Sequence, residues 1–185
     1  MTELNIVVEG QSDARLLRKY LPNIEGLTPR YFSGDGVVSL ATLARNLLVH
    51  EEGMVLVVMD SDSLSAENAA QRRTMVMATL RQIAPDERFN VFVFRPEHEI
   101  IFFEAPEVLE RYWPGEDRLS VTALERGLYA PKEELAKLVA AAQQTSAAWF
   151  ASLMPEDGEL LRKGRQAGQL VKMFEALAAG HLIDA

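Results

Sequence analysis

The stretch MVLVVMDSDS, Met54 to Ser63, decides how this chain is read. Six apolar residues end abruptly in Asp60 and Asp62, with only Ser61 between them. A strand apolar on both faces belongs in the middle of a parallel sheet. The carboxyl end of such a strand is where open α/β sheets place their ligands. Two bare carboxylates there would repel, and one would be driven toward protonation. A hard divalent cation removes that penalty, because Mg²⁺ takes oxygen ligands and binds through a few carboxylates and waters.

Working outward, apolar runs alternate with helical patterns. Asn5 to Val8 is a short β-branched run followed by Glu9-Gly10, and predicts a buried strand. QSDARLLRKYLP predicts a helix capped by Ser12 or Asp13 and ended by Pro22. PRYFS predicts a weaker second strand, and the glycine turn and leucine stripe of GDGVVSLATLARNLL predict a second helix. A third helix is expected over residues 66–83, and RFNVFVF is a fourth strand. This order is that of a Rossmann-like α/β fold, a mostly parallel four-stranded sheet flanked by helices. Beyond about residue 105 the pattern becomes helical, including PKEELAKLVAAAQQTSAAWFASLM and a terminal DGELLRKGRQAGQLVKMFEALAAGHLI that gives one long helix or two. The expected organisation is an α/β domain over residues 1–113 and a helical extension over 114–185, packed on it.

Acidic groups recur at the predicted strand ends: Glu9 with Asp13, Asp60 with Asp62, and Glu97 with Glu99. Each alone has a plainer explanation. An acidic pair after a strand is often a helix cap or solvated turn, and Ser63 or Ser65 suits a cap. Gly10 could serve only a tight turn. His98 reads as a helix-start or surface histidine, and the phenylalanines of FVF and IIFF read as core. Arg162, Lys163, Arg165 and Lys172 form a modest basic cluster that a solvated face explains as well as phosphate steering does.

The chain has 185 residues, 48% hydrophobic and 25% charged, enough for one domain with a modest extension. Its net charge of −8 argues against broad non-specific affinity for nucleic acid, although not against a metal-mediated phosphate site. With no cysteine, thiolate metal sites and a cysteine nucleophile are excluded. No apolar stretch approaches the roughly 20 residues of a membrane helix. LNIVVEG lacks the features of a signal peptide, so a cytoplasmic location is expected.

The residues carry a resemblance. IVVEGQSDARLL resembles the first motif of Toprim domains, with Glu9, Gly10 and Asp13, and VLVVMDSDS resembles the second, the DxD motif of Asp60 and Asp62. YFSGDGVVSLATLARNLL is similar to the turn and helix between those motifs in Toprim domains of OLD-type nucleases. RPEHEIIFFEAPEVLERYW is similar to the segment that supplies a further acid in stand-alone Toprim-like proteins, with Glu99 the better match and Glu97 the reserve. The resemblance covers about residues 4–113.

It implies a Mg²⁺- or Mn²⁺-dependent enzyme acting on phosphodiesters, most readily a nuclease on DNA or RNA. Asp60 and Asp62 would hold the metal, Glu9 would be a ligand or general acid/base, and Asp13 and Glu99 would support them. It equally allows a non-catalytic or partner-activated subunit of a separate ATPase, a defence system or a DNA-repair complex. No G-x-x-x-x-G-K-[ST] motif supplies an ATPase here. VVMDSDS also resembles the nucleophile motif of haloacid-dehalogenase-type phosphatases, but the βαβα unit before it and EGQSD would then go unexplained. Oligomeric state and the choice among DNA, RNA and a small phosphate ester stay open.

Overall fold

A computed structural model describes residues 3–34, 36–113 and 119–180. Four parallel strands form the sheet: β1 (Leu4–Val8), β2 (Arg30–Ser33), β3 (Met54–Asp60) and β4 (Phe89–Phe94), in the order β2-β1-β3-β4. The connecting helices are α1 (Gln11–Tyr20), α2 (Gly36–His50) and α3 (Ala66–Leu80). The long apolar run lies centrally, with Val8 opposite Val58 on one side and Asp60 opposite Phe94 on the other.

The strand order dictates where the helices lie. From β1 the chain steps one way to β2, then back across β1 to β3 and on to β4. Right-handed crossovers therefore put α1 on one face of the sheet and α2 and α3 on the other. Val7, Val55, Val57 and Met59 pack with Leu40, Ala44, Val76 and Leu80 on the second face. The first face has α1 alone among these three helices, which leaves Leu56, Val58, Phe92 and Phe94 in need of cover.

The helical remainder supplies it: α4 (Ile100–Glu104), α5 (Pro106–Tyr112), α6 (Val121–Gly127), α7 (Pro131–Ala141), α8 (Ser146–Ser152), α9 (Pro155–Leu161) and α10 (Arg165–Ala178). Phe102, Trp149, Phe150, Leu170 and Phe174 join Ile6, Leu17, Leu56 and Phe94 in one continuous core.

Local departures from the predicted elements have clear causes. The N-cap of α1 is Gly10, and Asp13 instead reaches back to accept the Gly10 N–H at 2.9 Å. Helix α3 ends at Leu80, earlier than expected, and begins under a Ser65 cap that accepts the Asn68 N–H. The PKEEL segment breaks into two helices, because Gln143 is left-handed at φ 56° and Thr145 caps the second. The final segment also breaks, with Gly164 preceding α10, and its predicted end at residues 181–183 lies outside the described residues.

Helix α9 approaches α1 closely at Gly158, where an added Cβ would overlap the Lys19 carbonyl oxygen. Gly158→Ala is expected to lower stability by about 1–3 kcal/mol through that overlap. A thermal melt unchanged from wild type would show that the two helices do not meet there.

Candidate metal centre

The direction of the chain reverses between β1 and β3, and such a switch point opens a crevice at the carboxyl ends of the strands. Glu9 leaves β1 and Asp60 ends β3 at this point, joined by a 3.0 Å hydrogen bond from the Asp60 N–H to Glu9 Oε1. Asp13, in the first turn of α1, and Glu99, after β4, lie near enough for their charge to act on Asp60. Burial raises the Asp60 carboxyl to about 9, with Glu99, Asp13 and Glu9 adding to the shift and a 2.9 Å hydrogen bond from the His98 N–H opposing it. Glu99, buried, is likewise pushed up by burial against the influence of His98 and Lys132. Two carboxylic acids thus lean toward their neutral forms because too much negative charge meets in too little water.

The loop after β4 is tied on both sides. The Pro96 carbonyl accepts the Ser61 N–H at 3.1 Å and the Asp62 N–H at 3.0 Å, which fixes the turn leaving β3. Upstream, the Gln166 side chain on α10 accepts the Arg95 N–H at 2.8 Å and donates to the Arg95 carbonyl at 2.7 Å. The C-terminal helices thereby hold the acidic loop. Arg165 in the same helix is engaged by Glu104, so the basic cluster is partly spent on structure.

His98 is not at the surface. It is 1% exposed, stacked on Phe94 with ring centroids 4.3 Å apart, and its Nε2 shares a 2.8 Å hydrogen bond with the Tyr20 hydroxyl. Its Nδ1 lies 3.9 Å from Asp13 Oδ1, too far for a hydrogen bond, and is left without a partner. Burial would raise Asp13, but His98, the Gly10 N–H and Lys132 together keep this carboxyl below its usual value.

Asp62 does not join the others. Its backbone is left-handed at φ 51°, a conformation that Asp tolerates better than most residues. Its side chain is 61% exposed and ion-paired at 2.7 Å with Arg72, which also donates to the Asp60 carbonyl at 2.6 Å. Glu97 also faces elsewhere, accepting the Lys132 N–H at the start of α7 at 3.1 Å. Of the two glutamates, Glu99 is therefore the one within the cluster.

Lys132 was not visible in the sequence as part of this site. Burial alone would lower its ammonium, but Glu99, Asp60, Glu97 and Asp13 together hold it above its ordinary value. Neither Lys132 nor Arg72 stands in a motif with the acids, and only folding brings them near. His98, by contrast, lay in plain view between Glu97 and Glu99.

The donor set consists of carboxylate oxygens, which suits Mg²⁺ or Mn²⁺ and not a softer metal. Glu99 Oε2, buried and without a partner, is an unfilled demand of the same kind. Among the described residues no three His, Asp or Glu side chains stand close enough to share one ion. Mg²⁺ does not require three, since it is commonly bound by one or two carboxylates, waters and substrate phosphate. Among the described residues, no helix is long and apolar enough to cross a membrane.

No protein-family model matches this chain, and no curated protein matches it in sequence. Among solved structures it is similar to the C-terminal region of the Burkholderia pseudomallei OLD protein, with 17% identity and a TM-score of 0.45. That similarity covers 88% of this chain and 98% of that region.

Proposed function

We propose that this protein is a Mg²⁺- or Mn²⁺-dependent phosphodiester-processing enzyme, nuclease-like and of Toprim type. The observation that carries this reading is the convergence of Glu9, Asp13, Asp60 and Glu99 at the switch point of a parallel sheet, with Glu99 Oε2 buried and unpartnered. A divalent cation held by two carboxylates, Glu9 and Asp60, with Asp13 and Glu99 adding only to the negative field around it, would polarise a phosphodiester and stabilise its attacking and leaving oxygens. Glu9 holds the Asp60 N–H with Oε1, which leaves its other oxygen to serve as ligand or proton carrier. Lys132 is placed to meet the negative phosphate. The test is cleavage of plasmid or oligonucleotide by pure protein with Mn²⁺ or Mg²⁺. Cleavage that survives Asp60→Ala would overturn this reading.

A second reading, a partner-activated subunit, is favoured by Asp62. While Arg72 holds it, one oxygen of Asp62 is spent on the ion pair, so a binding partner that draws Arg72 away would free the carboxylate to complete the DxD pair. Arg72→Gln is therefore expected to tighten Mn²⁺ binding about tenfold, the size of an outer-shell effect on a metal site. Calorimetric titration of Mn²⁺ checks it, and weaker binding would mean that Arg72 braces the turn instead of withholding the carboxylate. The haloacid-dehalogenase alternative fits poorly, because the βαβα unit that precedes β3 and the bond between Glu9 and the Asp60 N–H would have no role in it.

A further inference from the structure

A cleft of about 450 Å³ adjoins the acidic cluster on the side of the C-terminal helices, lined by Asp62, Pro96, Glu97, Tyr129, Lys132 and Glu133 among others. Its volume lies in the range of a small-ligand site. Tyr129 stands at its wall with 68% of its surface exposed, so its ring face is open to a ligand. The ring is carried on an anchored backbone: the Tyr129 N–H donates to the Arg126 carbonyl at 3.0 Å, and the Ala130 N–H to the same carbonyl at 2.9 Å. Lys132, three residues after Tyr129, lines the cleft and also feels the charge of Glu99, Asp60 and Asp13, and its own N–H is held by Glu97.

We propose that this cleft binds one unpaired nucleobase of a single-stranded nucleic acid, stacked on Tyr129, with the adjoining phosphate directed by Lys132 into the acidic cluster. The inference rests on the phosphodiester reading of that cluster and deepens it by naming the substrate class. The carboxylates of Asp62, Glu97 and Glu133 disfavour a phosphate in the cleft itself, but they are acceptors for the exocyclic amines of a base. Single strands are held by aromatic faces together with cations along the backbone, because every base offers a π-face and every linkage a negative charge, and Tyr129 with Lys132 supplies one of each. A base stacked within a duplex cannot present its face to Tyr129, so the cleft selects against intact duplex. Lys132 thus links the base site to the cluster.

The test uses the full chain and a single-stranded DNA dodecamer with 2-aminopurine at successive positions, in Ca²⁺ to suppress turnover. Wild type, Tyr129→Phe and Tyr129→Trp are expected to quench the fluorophore at one position and to bind the strand more tightly than its duplex. Tyr129→Ala is expected to lose the quench and to bind about tenfold more weakly. Lys132→Met is expected to bind more weakly with a shallower salt dependence, reflecting one lost phosphate contact. Wild type that prefers duplex, or Tyr129→Ala that binds and quenches as wild type does, overturns the base site. Mn²⁺ titration separates the two levels. Loss of the Tyr129 effect in a protein that binds Mn²⁺ removes the base site alone, whereas absence of Mn²⁺ binding removes the phosphodiester reading and the base site together.

Discussion

Asp60→Asn is expected to make the ion-free protein more stable while abolishing its response to divalent cations. The reason is the raised carboxyl. In the unfolded chain an aspartate titrates near 3.9, whereas in the folded protein burial, Glu99, Asp13 and Glu9 push Asp60 up to about 9. The unfolded state therefore gives up its proton first as pH rises. The stability associated with this group is fully present below about pH 4 and declines steadily as pH climbs toward 9. Glu99 is shifted in the same direction and steepens the decline.

An amide in place of Asp60 removes the titration, so the variant should melt above wild type at pH 7.5, by about 1–2 kcal/mol. The two should converge near pH 4, where both are neutral. Millimolar Mn²⁺ should raise the melting temperature of wild type and leave the variant unmoved. Because the ion must displace a proton from Asp60, its affinity should increase with pH through the neutral range. Phosphodiester cleavage should fall about 10³-fold in the variant, equivalent to the several kcal/mol that a bound cation contributes. A variant less stable than wild type at pH 7.5 would show that Asp60 is ionised in the folded state.

The second large effect is structural. Asp157, at the start of α9, is completely buried, yet it lies far from the acidic cluster in role. It accepts from the Arg111 guanidinium, from the Tyr112 hydroxyl at 2.5 Å and from the Met154 N–H at 2.7 Å. Burial and the hydrogen bond to Asp157 both raise the Tyr112 hydroxyl, so its proton stays in place to be donated. Three donors converging on one carboxylate pin α9 to α5. Asp157→Ala would leave those donors without their acceptor and cost about 3–5 kcal/mol. For a chain of this size that corresponds to a fall of about 10 °C in melting temperature. Asp157→Asn, which keeps the shape but turns an amide N–H₂ toward donors, should lose a large part of the same stability. A melting point within error of wild type for both would mean that α9 is held by its apolar contacts alone, chiefly Leu161.

The strands were legible because their information is local. Leu4–Val8, Met54–Asp60 and Phe89–Phe94 are apolar, short and bounded by turn residues, and they form where that pattern predicts. Alternation then assigns each side chain to one face, as Val55, Val57 and Met59 divide from Leu56 and Val58. A parallel sheet brings the carboxyl ends of its strands to one edge, so the nearness of Glu9 and Asp60 was legible too. Breaks such as that between α7 and α8 were harder to read, since a single left-handed residue and a capping threonine decide them against otherwise helical sequence.

What the sequence by itself determined is thus the parallel α/β sheet and the edge at which its acids gather, because strand periodicity and strand direction are properties of short segments. Only the tertiary structure decided which acids share the crevice. Asp62 belongs to the same motif as Asp60, yet a left-handed turn and Arg72, on the following helix, take it away. Glu99 enters the cluster and Glu97 caps a helix, though they lie two residues apart. His98 is buried between Phe94 and Tyr20, which no spacing announces. Tyr129 and Lys132 reach the site from the turn after α6 and from the start of α7, which the motifs do not include. These outcomes depend on where a carboxylate finds a donor or loses its water, and that is set by residues distant in the chain.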